Sequence, residues 1–263
     1  MGFWSDFSLG FKTYGDAHRF IRKHKLWGYI GICGLLNLLL FAAFVWAVTT
    51  YSGDIIDYFL AYFGLDNQGE SFWSYFFAIF RILMIIGLYI IFFFVYLYTY
   101  QLFLLTILSP FLAYLSEKTE QIIDGTEYPF NFKQYLYDLA RGNYIALRNT
   151  VLEFIWIIIL FFASFIPVIG FLSPIAVFVI SMYFYGFSMI DYCSERHKMN
   201  VKESIRYVRK HKGFAISNGL VFYLVILIPV VGIIVAPTYS CVAATIGDDI
   251  LRKQDEQKLI IRR

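Results

Sequence analysis

Two stretches of this chain run without a charged residue for longer than a bilayer is thick, and that limits what it can fold into. Residues 27–51 and 82–108 contain no Asp, Glu, Lys or Arg. A hydrocarbon core of ~30 Å is crossed by about 20 helical residues. In lipid, backbone amides must bond within their own element, so each run is expected to be a transmembrane helix. Composition agrees: 59% of residues are hydrophobic and 16% charged, against about 25% charged in an average soluble domain. Trp27, Tyr29, Trp46 and Tyr51 fall toward the ends of the first run, where aromatic belts form. The second run extends over residues 72–110, interrupted only by Arg81, which is expected to snorkel to the interface. Its length implies tilt or continuation beyond the membrane, and Pro110 is expected to end or bend it.

The later apolar material is punctuated. Residues 151–190 carry Pro167, Gly170 and Pro174; residues 214–246 carry Pro229, Gly232 and Pro237. The arms before these breaks, 154–166 and 219–228, are shorter than a span, which fits helical hairpins that enter and leave on one side. Tight hairpins of fully spanning helices are the alternative. Ile166-Pro167-Val168-Ile169-Gly170 and Ile228-Pro229-Val230-Val231-Gly232 stand at corresponding places and read as an internal repeat, a common transporter feature.

Charge is divided unevenly along the chain. Between the first two runs every charge is acidic: Asp54, Asp57, Asp66 and Glu70. Of the 22 Lys and Arg, five precede the first run and sixteen follow the second. The positive-inside rule puts both termini and the later polar segments in the cytoplasm. The layout expected is a cytoplasmic segment 1–25, a span 27–51, an outer loop 52–71, a long span 72–110 and cytoplasmic helices over 111–150. A hairpin 151–190, a basic amphipathic helix within 191–213, a second hairpin 214–246 and a cytoplasmic tail 247–263 complete it. No cleavable leader is expected, since residues 1–25 are polar and basic.

No catalytic, cofactor, metal-binding or nucleic-acid motif is found. The three Cys lie far apart, and the four His sit among basic residues with no carboxylate at ligand spacing. Lys198, Lys202, Arg206 and Arg209 form one stripe of a helix, suited to an anionic leaflet or to a vestibule that concentrates an anion. Glu117, Arg141, Arg148, Asp191 and Arg206 are candidates for a polar network or pore. Asp191 and Glu153 are expected to pair with Arg196 or Arg148.

From Ser109 onward the chain resembles the CysZ-type sulfate permease family, related to the etoposide-induced membrane protein family. The resemblance rests on Ser109-Pro110-Phe111, Leu112, Glu117, Arg141, residues 166–170, Asp191-Tyr192 with His197-Lys198 and Lys202-Glu203, Ile228-Pro229, Pro237 and Cys241. It implies an all-α integral protein of the bacterial inner membrane with two long transmembrane helices and two partly penetrating, re-entrant hairpins. It also implies dimers or larger homo-oligomers in contact with lipid, and sulfate entry for cysteine synthesis without a nucleotide-binding domain. The family's sulfate site, at the start of the first long helix, corresponds to Lys25-Leu26-Trp27-Gly28, so Trp27 and Gly28 stand where the family has arginines. Arg22, Lys23 and Lys25 lie just upstream, and free N–H groups near Leu26 could hold an anion. An anion permease, most directly for sulfate, is the leading expectation. A non-transporting membrane interaction protein of the same fold, or a carrier of another solute, stays open beside it.

Overall fold

The computed structural model describes residues 2–62, 74–125, 132–228 and 231–261. Within them the elements are eight α-helices: α1 (Phe3–Lys23), α2 (Trp27–Tyr62), α3 (Ser74–Asp124), α4 (Phe132–Ala163), α5 (Pro167–Arg196), α6 (Val201–Lys210), α7 (Lys212–Ile226) and α8 (Val231–Ile261). Pro229, Asp66 and Glu70 lie outside the described residues, as does the side chain of Arg81. Three helices are long and apolar enough to cross a membrane by length and composition: Trp27–Phe59, Phe132–Ala163 and Val168–Arg196.

Several expectations about breaks change. At about 1.5 Å per residue, the 51 residues of α3 extend about 76 Å, and the helix runs through Pro110 instead of ending there. Pro174 and Pro237 likewise lie inside α5 and α8 and are not breaks. A proline inside a helix removes one i−4 bond, and a chain whose neighbouring helices restrain it continues past that gap. The turn of the first hairpin falls at residues 164–166, with Pro167 as the first residue of α5, where its missing N–H is no loss. Of the expected short arm 154–166, residues 154–163 are the end of the continuous 32-residue α4. The 15 residues of α7, by contrast, extend only about 22 Å, short of a ~30 Å core.

The described ends of the two Ile-Pro-Val-x-Gly stretches share two contacts. Gly170 N–H donates to Ile166 O at 2.7 Å, and Gly232 N–H to Ile228 O at 2.8 Å. A Cβ on Gly170 would stand 2.3 Å from Ser164 O, and one on Gly232 would stand 2.3 Å from Val225 O. In both hairpins the glycine lets the returning helix close directly onto the backbone it has just left.

The chain forms two compact units, one of Met1–Leu38 with Leu105–Arg263 and one of Leu39–Leu104. In the smaller, Ile56 packs with Met84, Ile85 and Leu88. In the larger, α7 is the hub, packed against α5, α1 and α8. Its contact with α5 is backbone on backbone. A Cβ on Gly186 would meet Ala215 O at 1.9 Å, and one on Gly219 would meet Met182 O at 2.0 Å. Against α1, Gly213 lies on Phe3 O at 2.3 Å by the same measure. Beside these contacts Asn218 is fully buried: its carbonyl accepts from Tyr14 Oη at 2.9 Å, and its side chain pairs with Ser240 at 2.7 Å.

Gly219→Ala must therefore push α5 and α7 apart, and by the usual cost of overpacking it should destabilise by about 1–3 kcal/mol or more. Gly15→Ala, where a Cβ meets nothing within 4 Å, should be neutral or stabilising. Thermal unfolding in detergent compares the two, and equal midpoints would refute the contact's importance.

Candidate functional site

The six residues marked as anion-binding from sequence lie together at the corner between α1 and α2. Helix α1 ends in a Schellman turn: Leu26 N–H reaches back to Ile21 O at 3.1 Å while Lys25 takes a left-handed φ of 55°. The apolar contact typical of that motif is present, since Ile21 and Leu26 are both buried in one cluster with Leu115, Val242 and Ala243. Burial of this pair fixes the turn, and the turn exposes Arg22, Lys23, Lys25, Trp27 and Gly28. Tyr29 and Ile30 N–H both return to Leu26 O, so α2 starts at this corner with its N-terminal amides beside the cations. Sequence spacing missed His18 and Tyr239: His18 Nδ1 is 2.9 Å from Tyr239 Oη, and its ring meets Trp27 edge-on at 6.5 Å. The tyrosine comes from α8, 221 residues away, beyond any local signal.

Two of the five network candidates meet in the core. Arg141 of α4 forks onto Asp191 of α5, Nη2–Oδ1 at 3.0 Å and Nη1–Oδ2 at 3.3 Å. Arg141 Nε also donates to Met199 O at 2.8 Å, and the Ser204 hydroxyl donates to Asp191. The pair is buried, and it ties α4, α5 and α6 together. Beside it a cavity of about 20 Å³, lined by Ser109, Asn143, Ser188, Asp191 and Tyr192, has room for a water.

The other expected pairings fall out differently. Glu153 accepts from Ser181, and Arg148 donates to Asn149 Oδ1 at 2.9 Å. Arg206 is exposed on α6. Arg196 binds Glu120 of α3 and the Ser116 hydroxyl, with His197 Nε2 at 3.0 Å from the other Glu120 oxygen. Burial alone would raise the Glu120 carboxyl; His197 and the Arg196 guanidinium outweigh it and hold the group at about 2. Glu117, half-buried one turn earlier, is raised by burial, with Arg196 and Lys118 opposing. On α8, Arg252 donates to Asp248 at 2.8 Å and lies 5.3 Å over the Tyr207 ring. Glu120 was missed; its i,i+4 spacing from the buried Ser116 was the available signal.

Two measurements test this network. Arg141→Met leaves a buried carboxylate unpaired and should cost about 3–5 kcal/mol, most of it returned by the double change Arg141→Met/Asp191→Met. The depressed Glu120 carboxyl stabilises the fold above its unfolded value near 4.5, and that contribution is lost as pH falls toward about 2. Glu120→Gln should therefore flatten the loss of stability between those pH values, measured by acid titration of the folded fraction.

Over 170 residues, 63% of this chain and 66% of the relative, the chain is 28% identical to the sulfate transporter CysZ of Pseudomonas fluorescens (strain Pf0-1). A second, from Pseudomonas fluorescens (strain SBW25), is 28% identical over 53% of this chain and 56% of its own length. These matches span a little over half to just under two thirds of those relatives. Over 252 residues, 94% of this chain and 96% of the relative, it is 24% identical to the sulfate transporter CysZ of Pseudomonas aeruginosa (strain LESB58). Residues 14–237 match the family described as Sulfate transporter CysZ/Etoposide-induced protein 2.4, and the chain belongs to that family.

Proposed function

We propose that the chain is an inner-membrane permease or channel for a small oxyanion, with sulfate, destined for cysteine synthesis, as the first substrate to test. The observation that carries this reading is the family match over residues 14–237 combined with a cationic corner at the start of α2. Arg22, Lys23 and Lys25 supply charge there, and the N-terminal amides of α2 supply donors. Without an arginine at position 27 or 28 the α2 entrance has no bidentate fork of its own; Arg22 offers a guanidinium from the end of α1, and the lysines act as point charges. That departure favours a second reading, a carrier for a different anion or a non-transporting relative, over any reading in which α2 binds sulfate as the family does.

We further infer that α2 and α3 span fully while α7–α8 penetrates partway, which the short α7 supports. Exposed Phe154, Trp156, Phe161, Phe162 and Phe171 along α4 and α5 suit contact with lipid. The acidic residues between α2 and α3 favour an external loop and both termini in the cytoplasm. Assembly into homo-oligomers is part of this reading and rests on the family alone.

Labelled-sulfate flux into proteoliposomes tests the function, with flux equal to empty vesicles counting against it. Lys25→Gly is the informative variant, because glycine suits the left-handed turn and leaves the fold intact or steadier by about 1 kcal/mol. Reduced uptake with an unchanged or higher unfolding midpoint assigns Lys25 to anion capture; unchanged uptake removes it. A cysteine replacing the exposed Val168 should resist an impermeant external thiol reagent if the first hairpin is re-entrant.

A further inference from the structure

His211 joins α6 to α7 and is 2% exposed. Its Nδ1 lies 3.0 Å from Asp6 Oδ2 of α1, and its Nε2 lies 3.1 Å from Asp255 Oδ2 of α8. Asp6 is equally buried, at 2% exposure. The other titratable groups facing this imidazole come from α6: Lys210, whose ammonium binds the same Asp255 carboxylate, and Tyr207, whose ring centroid is 5.0 Å away. An ionised carboxylate only accepts hydrogen bonds, so both ring nitrogens must donate, and only the imidazolium can do that. Charge gives the same answer. Asp6 and Asp255 are balanced by Lys210 and a charged His211; a neutral ring would leave one negative charge uncompensated beside the buried Asp6.

We infer that His211 is a proton-dependent clasp: in its charged form it holds both α1 and α8 to the α6–α7 joint, and when deprotonated it can donate to only one of them. The clasp is made while the ring is protonated and is lost as pH rises through its deprotonation. Lys210 and His211 hold the Asp255 carboxyl below its ordinary value despite partial burial, so moderate acid leaves that side made. The consequence is local: Phe3 and Phe7 seat their backbone on Gly213, two residues from the ring, and α1 leads directly into α2.

Amide hydrogen exchange of the full chain in detergent, read over residues 7–14 of α1 and 250–258 of α8 and corrected for the intrinsic rate, is the test. Between about pH 6 and about pH 9, exchange in the wild type should rise about tenfold or more over at least one of the two segments, as one carboxylate loses its donor. His211→Lys keeps a cation and should stay protected across the range, whereas His211→Gln should exchange fast throughout. Asp255→Asn covers the case in which the first variants fail to fold. Its amide can donate to a neutral Nε2 while Nδ1–H serves Asp6, so protection should persist and its pH dependence vanish. Wild-type protection that stays flat with pH, or an Asp255→Asn protein that keeps the wild-type pH dependence, would overturn the clasp.

Discussion

The larger unit depends on bare backbone contact at α7. With glycine at 186 and 219, α5 and α7 approach until the Cβ of any other residue would overlap a carbonyl oxygen. Gly213 brings α1 equally close on another side. Such contacts recruit dispersion and Cα–H···O attraction that wider helix pairs lack, and they do not depend on expelling water. That matters in this chain, because apolar side chains that gain little by leaving lipid for protein cannot hold its helices together by hydrophobicity alone. The buried Asn218, with Tyr14 and Ser240, then locks α1, α7 and α8 at the same level.

Around that hub the buried charges act as staples between helices that sequence leaves far apart. Arg141–Asp191 fastens α4 to α5, Arg196–Glu120 fastens α5 to α3, and His211 fastens α1 and α8 to the α6–α7 joint. Each costs desolvation, offset by several hydrogen bonds at once: a fork with a backbone carbonyl, a guanidinium shared between carboxylate and hydroxyl, a ring bonded at both nitrogens. The candidate anion corner contrasts with these. Arg22, Lys23 and Lys25 are exposed there, and among the described residues none of them pairs with a carboxylate.

Much of this was legible in the residues. Uninterrupted apolar runs marked α2 and α3, and the Ile-Pro-Val-x-Gly pairs marked the two turns. Breaks inside helices were over-read: Pro110, Pro174 and Pro237 look like stops in one dimension, yet neighbouring helices carry the backbone through. The Schellman turn at Lys25 gave no sign, because lysine, lacking the freedom of glycine, is pressed into a left-handed conformation by the burial of Ile21 and Leu26. Arg196 and Arg148 were the partners considered for Asp191 and Glu153; Asp191 meets Arg141, Glu153 meets Ser181, and Arg196 meets Glu120.

Sequence alone determined what one-dimensional chemistry can encode: helices long and apolar enough for lipid, an acidic segment set against basic flanks, and family membership. It also placed six candidate residues at one corner, since they are consecutive or nearly so. Tertiary structure decided which charges pair. Partners 50, 76 and 205 residues apart meet because helix packing sets their distance, and Coulomb attraction falls with distance through space irrespective of separation along the chain.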